Sequence, residues 1–178
     1  MIILISGACG AGKTTISKIL SSDACFEATV CLTVDSWLYD FIQTGFIEPW
    51  LEQAKMQNVA VMRSMAASAK SFSLDGYTVF VEGVISKSMI PAWLDLAREG
   101  FDVRYIILRP NEATTFERVL NREQNVDYPI EPDFVRQVCQ FFENLEEYEA
   151  HVFDTTGLSI TESILLIKEK LNAGCYKL

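Results

Sequence analysis

Gly7-Ala8-Cys9-Gly10-Ala11-Gly12-Lys13-Thr14 is the stretch that decides the fold. It matches the phosphate-loop pattern, two glycines five positions apart followed by Lys and Thr. The apolar run Met1-Ile2-Ile3-Leu4-Ile5 before it reads as a buried parallel strand. Thr15-Ile16-Ser17-Lys18-Ile19-Leu20 after it spaces apolar residues as a helix does. Strand, loop and helix together curl backbone N–H groups around phosphate oxygens and aim the positive end of a helix dipole at them. Residues Gly7, Ala8, Cys9, Gly10, Ala11, Gly12, Lys13, Thr14 and Thr15 are therefore expected to hold a nucleoside triphosphate. Lys13 reaches the β- and γ-phosphates, and the Thr14 hydroxyl ligates Mg²⁺.

The chain has 178 residues, enough for one domain around a central sheet. Nearly half are hydrophobic and about a fifth charged, a globular rather than disordered balance. A net charge of −9 disfavours a nucleic-acid partner bound by phosphate neutralisation. The first apolar run is too short for a signal peptide or membrane span, and no later run approaches the roughly 18 residues a span needs. Five cysteines (Cys9, Cys25, Cys31, Cys139, Cys175) form no CxxC pair, which reads as buried, reduced thiols in a cytoplasmic protein. Cys9 stands inside the phosphate loop, so its oxidation would block nucleotide binding.

Strands and helices alternate. Thr29 to Val34 reads as a second strand and Tyr77 to Val81 as a third. Ile47 to Phe72 carries one long helical pattern, with Leu51, Ala54, Val61, Met65, Ala69 and Phe72 near one face and Met56, Met62 and Met65 as apolar filler. Ser88 to Arg98 is a helix stopped by Gly100. Val103 to Leu108 is the fourth strand. A helix capped by Asn111 runs from it to about Glu123. Pro132 opens a further helix, Val152-Phe153 is a fifth strand, and Thr161 to Leu171 the last helix. This α/β alternation predicts a parallel sheet with helices on both faces and ligands at the carboxyl ends of its strands.

Polar residues at those strand ends are the candidates for chemistry. Asp35 follows strand two, either capping the next helix or orienting an attacking hydroxyl. Glu82 follows strand three in the position of a Walker B acid, where it serves Mg²⁺ through water or binds substrate hydroxyls. Arg118 and Arg122 share a helix face beside the irregular 124–131 segment. They read as charge-stabilising groups on a flap or as surface partners of Glu112, Glu117 or Glu123. Asp154, Thr155 and Thr156 stand after strand five, in a DxxG string without any guanine-reading motif, and read as a loop next to adenine. His151 has no ligand cluster around it, which speaks against zinc or a His triad. Lys55, Arg63 and Lys70 read as solvated face, with Arg63 a candidate contact for an anionic substrate.

In this order the motifs resemble the small P-loop kinases: Gly7–Thr14, Val34-Asp35-Ser36, Val81-Glu82-Gly83, Arg118-x-x-x-Arg122 and Asp154-Thr155. The chain looks most like the group of chloramphenicol phosphotransferase, gluconate kinase, shikimate kinase and the zeta-toxin kinases. The resemblance implies ATP and Mg²⁺, a five-stranded sheet in the order 2-3-1-4-5, a substrate-covering helical region over 37–72 and a lid over 118–133. It also implies Lys13, Asp35, Arg118 and Arg122 as catalytic residues, with Arg118, Asp154, Thr155 and Thr156 near the nucleotide. Shikimate kinases carry a second Asp where this chain has Trp37, and a glycine run where it has Glu82-Gly83-Val84. Val34-Asp35-Ser36 is closer to the antibiotic-kinase pattern.

The expected function is phosphoryl transfer from ATP to a hydroxyl of a small molecule. The substrate would enter between Asp35 and the 37–72 region, where Trp37, Tyr39, Phe41, Phe46 and Trp50 are either lining or core. The rivals are a nucleotide or polynucleotide kinase and a non-catalytic nucleotide-binding regulatory module.

Overall fold

The computed structural model describes residues 1–123 and 131–178, without the side chains of 122 and 123. Five parallel strands form one sheet: β1 (Ile2–Gly7), β2 (Thr29–Thr33), β3 (Thr78–Glu82), β4 (Val103–Leu108) and β5 (Val152–Phe153), in the order β2-β3-β1-β4-β5. That is the order 2-3-1-4-5 implied by the resemblance. The central strand β1 pairs with β3 through Ile5 and Glu82 and with β4 through Gly7 and Leu108. The tip of β1 thus meets the ends of both neighbours.

Alternation along the strands divides the core in two. Ile2, Leu4, Val79, Val81, Val103, Tyr105 and Ile107 face one side, with Trp93 and Phe142 buried against them. Ile3, Ile5, Phe80, Ile106 and Leu108 face the other, packed on Ile16 and Leu20 of α1 (Lys13–Ser21) and Ile164 and Ile167 of α6 (Ile160–Asn172). The first layer includes α2 (Lys55–Leu74), α3 (Pro91–Arg98) and α5 (Pro132–Gln140). Each fully buried side chain of this size contributes about 1.5–3 kcal/mol, which makes the sheet a rigid base for its loops.

Four local expectations change. The long helix starts at Lys55, not Ile47. Pro49 interrupts the run, and the preceding segment folds back, with the Gln57 amide bonded to Ile47 N and O at 2.9 and 2.7 Å and Asn58 Nδ2 donating to Pro49 O at 2.7 Å. Met62 and Met65 are buried as read, but Met56 is 79% exposed. No cysteine is buried: Cys25 and Cys31 are exposed, the latter on the edge strand β2, and Cys9, Cys139 and Cys175 are intermediate. The helix expected from Ser88 begins at Pro91, after a short turn at Lys87–Met89.

Asn111 caps α4 (Glu112–Glu123) as the sequence predicts, its Oδ1 accepting from Thr114 N at 2.8 Å. Among the described residues no helix is long and apolar enough to cross a membrane.

Candidate functional site

The end of β1 turns sharply into the phosphate loop, and two glycines are required there. A Cβ on Gly7 (φ +142°) would stand 2.3 Å from Leu108 O, and one on Gly10 (φ +80°) 2.7 Å from Thr115 O. Gly10 therefore lets the loop lie against α4, the helix that carries Arg118. The loop closes with Ala11 N donating to Ala8 O at 3.2 Å. At the start of α1, Gly12 provides no side-chain cap, and the first turn holds no acid. The N–H groups and positive dipole end of that helix are left for an anion.

Lys13 arches back over the loop, its Nζ donating to Ala8 O at 3.0 Å. Thr14 Oγ1 donates to Glu82 Oε2 at 3.2 Å. Glu82 is only 5% exposed. Burial pushes its carboxyl above the usual range, against the opposing pull of the Lys13 charge and the Thr14 bond. The chemistry of this pair fits Mg²⁺, which takes hard oxygen donors, few from protein and the rest from water and phosphate. Among the described residues no cluster of three or more His, Cys, Asp or Glu offers a site for a softer metal.

The loop after β3 is fixed by two residues the motif reading passed over. Ser6 Oγ exchanges bonds with Ile85 O and N, both at 2.9 Å, and Tyr105 donates to Ile85 O at 2.6 Å. Their signal was indirect: a lone Ser at the end of an apolar strand.

A cleft of about 1040 Å³ unites these groups with the rest of the site. Cys9, Gly10, Ala11, Gly12, Lys13, Thr14 and Thr15 line one part of it, next to Glu82. Gly7 and Ala8 shape the loop from behind, and Ala8 faces a neighbouring hollow. Asp35 lines the cleft, exposed, at the head of the π-helical turn Ser36–Asp40. Its side chain makes no capping hydrogen bond, so the helix-cap alternative is not realised. Of the aromatic candidates, Tyr39 and Trp50 line the cleft. Trp37 and Phe46 pack on the core, and Phe41 stacks on Trp37.

Arg118 joins the far wall. Its guanidinium donates to Thr155 Oγ1 and Thr155 O, each at 3.0 Å; the side chain of Glu123, one of its alternative partners, lies outside the described residues. Thr155 lines the cleft. Thr156 Oγ1 instead accepts from Asn111 N at 2.7 Å, and Asp154 accepts from Thr156 N at 2.7 Å and faces the neighbouring hollow. The side chain of Arg122 and residues 124–130 of the expected lid lie outside the described residues. Lys55, not Arg63, lines the cleft. Ser159 and Ile160 line it too, at the start of α6, where Ser159 and Glu162 form a reciprocal capping box.

Glu82→Gln is expected to separate stability from metal use. The raised pKa means the folded state binds a proton more readily than the unfolded chain. Stability therefore falls as pH rises from the ordinary carboxylate value through the folded one. The amide removes that loss, so its melting temperature exceeds wild type at neutral pH and converges with it in acid. ATP affinity in Mg²⁺ falls about 10-fold, the cost of one bond to a charged group. Melting curves across pH and calorimetry with and without Mg²⁺ check both.

A family model described as AAA domain, AAA_18, matches residues 3–134. No curated protein sequence matches the chain. Solved structures similar to it include an unliganded sugar kinase from Janibacter sp. HTCC2649, at 18% identity and TM-score 0.68, covering 96% of this chain and 94% of that one. The tunicamycin resistance protein of Deinococcus radiodurans aligns at 16% identity and TM-score 0.66, over 98% and 95%. Thymidylate kinase of Candida albicans aligns at 15% and 0.64, over 97% and 91%. With its phosphate loop, its 2-3-1-4-5 sheet and a family match over most of its length, the chain belongs to the AAA domain family AAA_18 and has the P-loop kinase fold.

Proposed function

We propose that this protein is an ATP-dependent phosphotransferase whose acceptor is a hydroxyl of a small molecule. One observation carries the reading. A single cleft holds both the phosphate loop and, beyond Asp35, a walled space bounded by Tyr39, Trp50 and Phe134. A protein that only binds nucleotide needs no such space, nor an uncapped carboxylate at its entrance.

The loop amides and Lys13 hold the β- and γ-phosphates, and Thr14 with Glu82 would hold Mg²⁺. A Mg²⁺ ion held by these two residues would supply positive charge against the phosphates. Asp35 accepts the proton of the acceptor hydroxyl as its oxygen bonds to the γ-phosphorus. The bond from that phosphorus to the β,γ-bridging oxygen breaks, and ADP leaves. Thr155 fixes the Arg118 guanidinium at the nucleotide end, where its charge meets the transferring group.

The test is ADP release over a panel of sugars, sugar acids, shikimate, nucleosides and amino alcohols. Acceptor-dependent release supports the reading, and release with none of them overturns it. In the same assay Arg118→Ala lowers kcat by about 10²-fold or more, while ATP affinity changes less. A loss confined to melting temperature would make Arg118 a brace for the Thr155 loop alone.

A further inference from the structure

Carboxylates and rings stand in the cleft wall around Asp35, among aliphatic side chains and the hydroxyls of Ser86 and Ser88. Asp35 and Glu52 line it, Glu52 on the short turn that leads into α2. Asn58, on α2, is 9% exposed. Its Nδ2 is committed to Pro49 O at 2.7 Å, and its Oδ1 has no partner among the described residues. A buried carbonyl left this way is satisfied only by a donor. The oxygen is closed to water, so a ligand reaches it only if its surroundings shift. The Pro49–Trp50 segment beside it lies outside helix and strand.

The walls are aromatic. Trp50 meets Phe134 edge-on, with centroids 4.7 Å apart, and Tyr39 stands near Asp35. The Tyr39 hydroxyl is pushed up to about 12, first by burial and then by the charges of Glu48 and Asp35. Among the described residues, Lys55 is the one cation lining this part, and it is exposed. Lys13 and Arg118 belong to the phosphate end. A carboxylate or phosphate on the acceptor would meet a negative field and no arginine fork. An ammonium would meet carboxylates, an unpaired carbonyl and ring faces.

We propose that the acceptor subsite takes an amine-bearing alcohol, its ammonium held by Glu52, Asn58 Oδ1 and the aromatic walls while its hydroxyl faces Asp35. This names the substrate class of the phosphotransferase reading and rests on it. An aminocyclitol and an aryl amino alcohol share that chemistry.

Binding and transfer are measured separately on the full chain. Calorimetry with Mg²⁺ and a non-hydrolysable ATP analogue compares deoxystreptamine and phenylserinol with neutral myo-inositol and anionic shikimate, and ADP release follows the same four. At least one amine binds about 10-fold tighter than inositol and shikimate, and its advantage shrinks as NaCl rises. The stronger amine tells the two sources apart. Glu52→Lys, at an exposed position, lowers amine affinity about 5- to 10-fold, leaving inositol, ATP-analogue affinity and melting temperature unchanged. Asn58→Leu lowers amine affinity about 10-fold, and Glu52→Lys decides if that variant fails to fold. Inositol or shikimate binding as tightly as both amines overturns the inference. Shikimate turned over in preference overturns it while upholding phosphotransfer. Amine binding without ADP release upholds the subsite and overturns phosphotransfer.

Discussion

Asp35→Asn is expected to lower kcat by about 10²–10⁴-fold while leaving ATP affinity and melting temperature near wild type. The substitution keeps shape and removes the group proposed to take the hydroxyl proton. The fold has little use for this carboxylate: the residue sits at φ −60°, ψ −42°, a helical conformation open to Asn, and makes no capping bond. Its exposure on the cleft wall means no buried network collapses when its charge goes. Single-turnover transfer to an accepted substrate, with calorimetry for ATP, checks the split. Wild-type transfer by the variant would leave Asp35 a bystander and move the proton acceptor elsewhere in the cleft.

The sheet and phosphate loop were legible because their causes are local. Strands buried on both faces must be apolar at nearly every position, and the loop's glycines answer to backbone crowding at Leu108 and Thr115. The start of α2 was not. Residues 47–54 continue an apolar spacing that suits a helix, and their backbone is satisfied by Gln57 and Asn58 ten and nine residues onward. No spacing rule contains a side-chain clamp of that kind.

Roles at the site divide the same way. The four-residue spacing of Arg118 and Arg122 marks a shared helix face, but nothing in it points to Thr155, 37 positions away. Lys55 and Arg63 both read as solvated face, yet eight residues of helix carry Arg63 about 12 Å further along the axis and about 80° round it. Asp154 and Thr156 flank the residue that lines the cleft, and their own bonds shape the turn instead. Which side chain of this loop faces inward depends on the Asn111–Thr156 and Thr156–Asp154 bonds, which no spacing rule contains.

Lys13→Ala is expected to reduce acceptor-dependent ADP release by about 10²–10³-fold and to weaken ATP binding by about 10-fold or more. Its ammonium is poised over the loop, bonded to Ala8 O at 3.0 Å, and it packs in neither core cluster. On the proposed mechanism the loss is one of charge at the phosphates. A second consequence follows from Glu82. Burial holds that carboxyl up, and the Lys13 charge is the largest influence pulling it back down. Without Lys13 the folded state holds the Glu82 proton to higher pH, so stability falls over a wider span as pH rises above the ordinary carboxylate value. Melting temperature should then drop at neutral pH and recover in acid. Adding Glu82→Gln should restore it at neutral pH without restoring ATP binding. Calorimetry and melting across pH on the single and double variants check both halves. Unchanged ATP affinity and unchanged ADP release in Lys13→Ala would end the phosphotransferase reading. A neutral-pH drop in melting that Glu82→Gln fails to repair would uncouple the two residues.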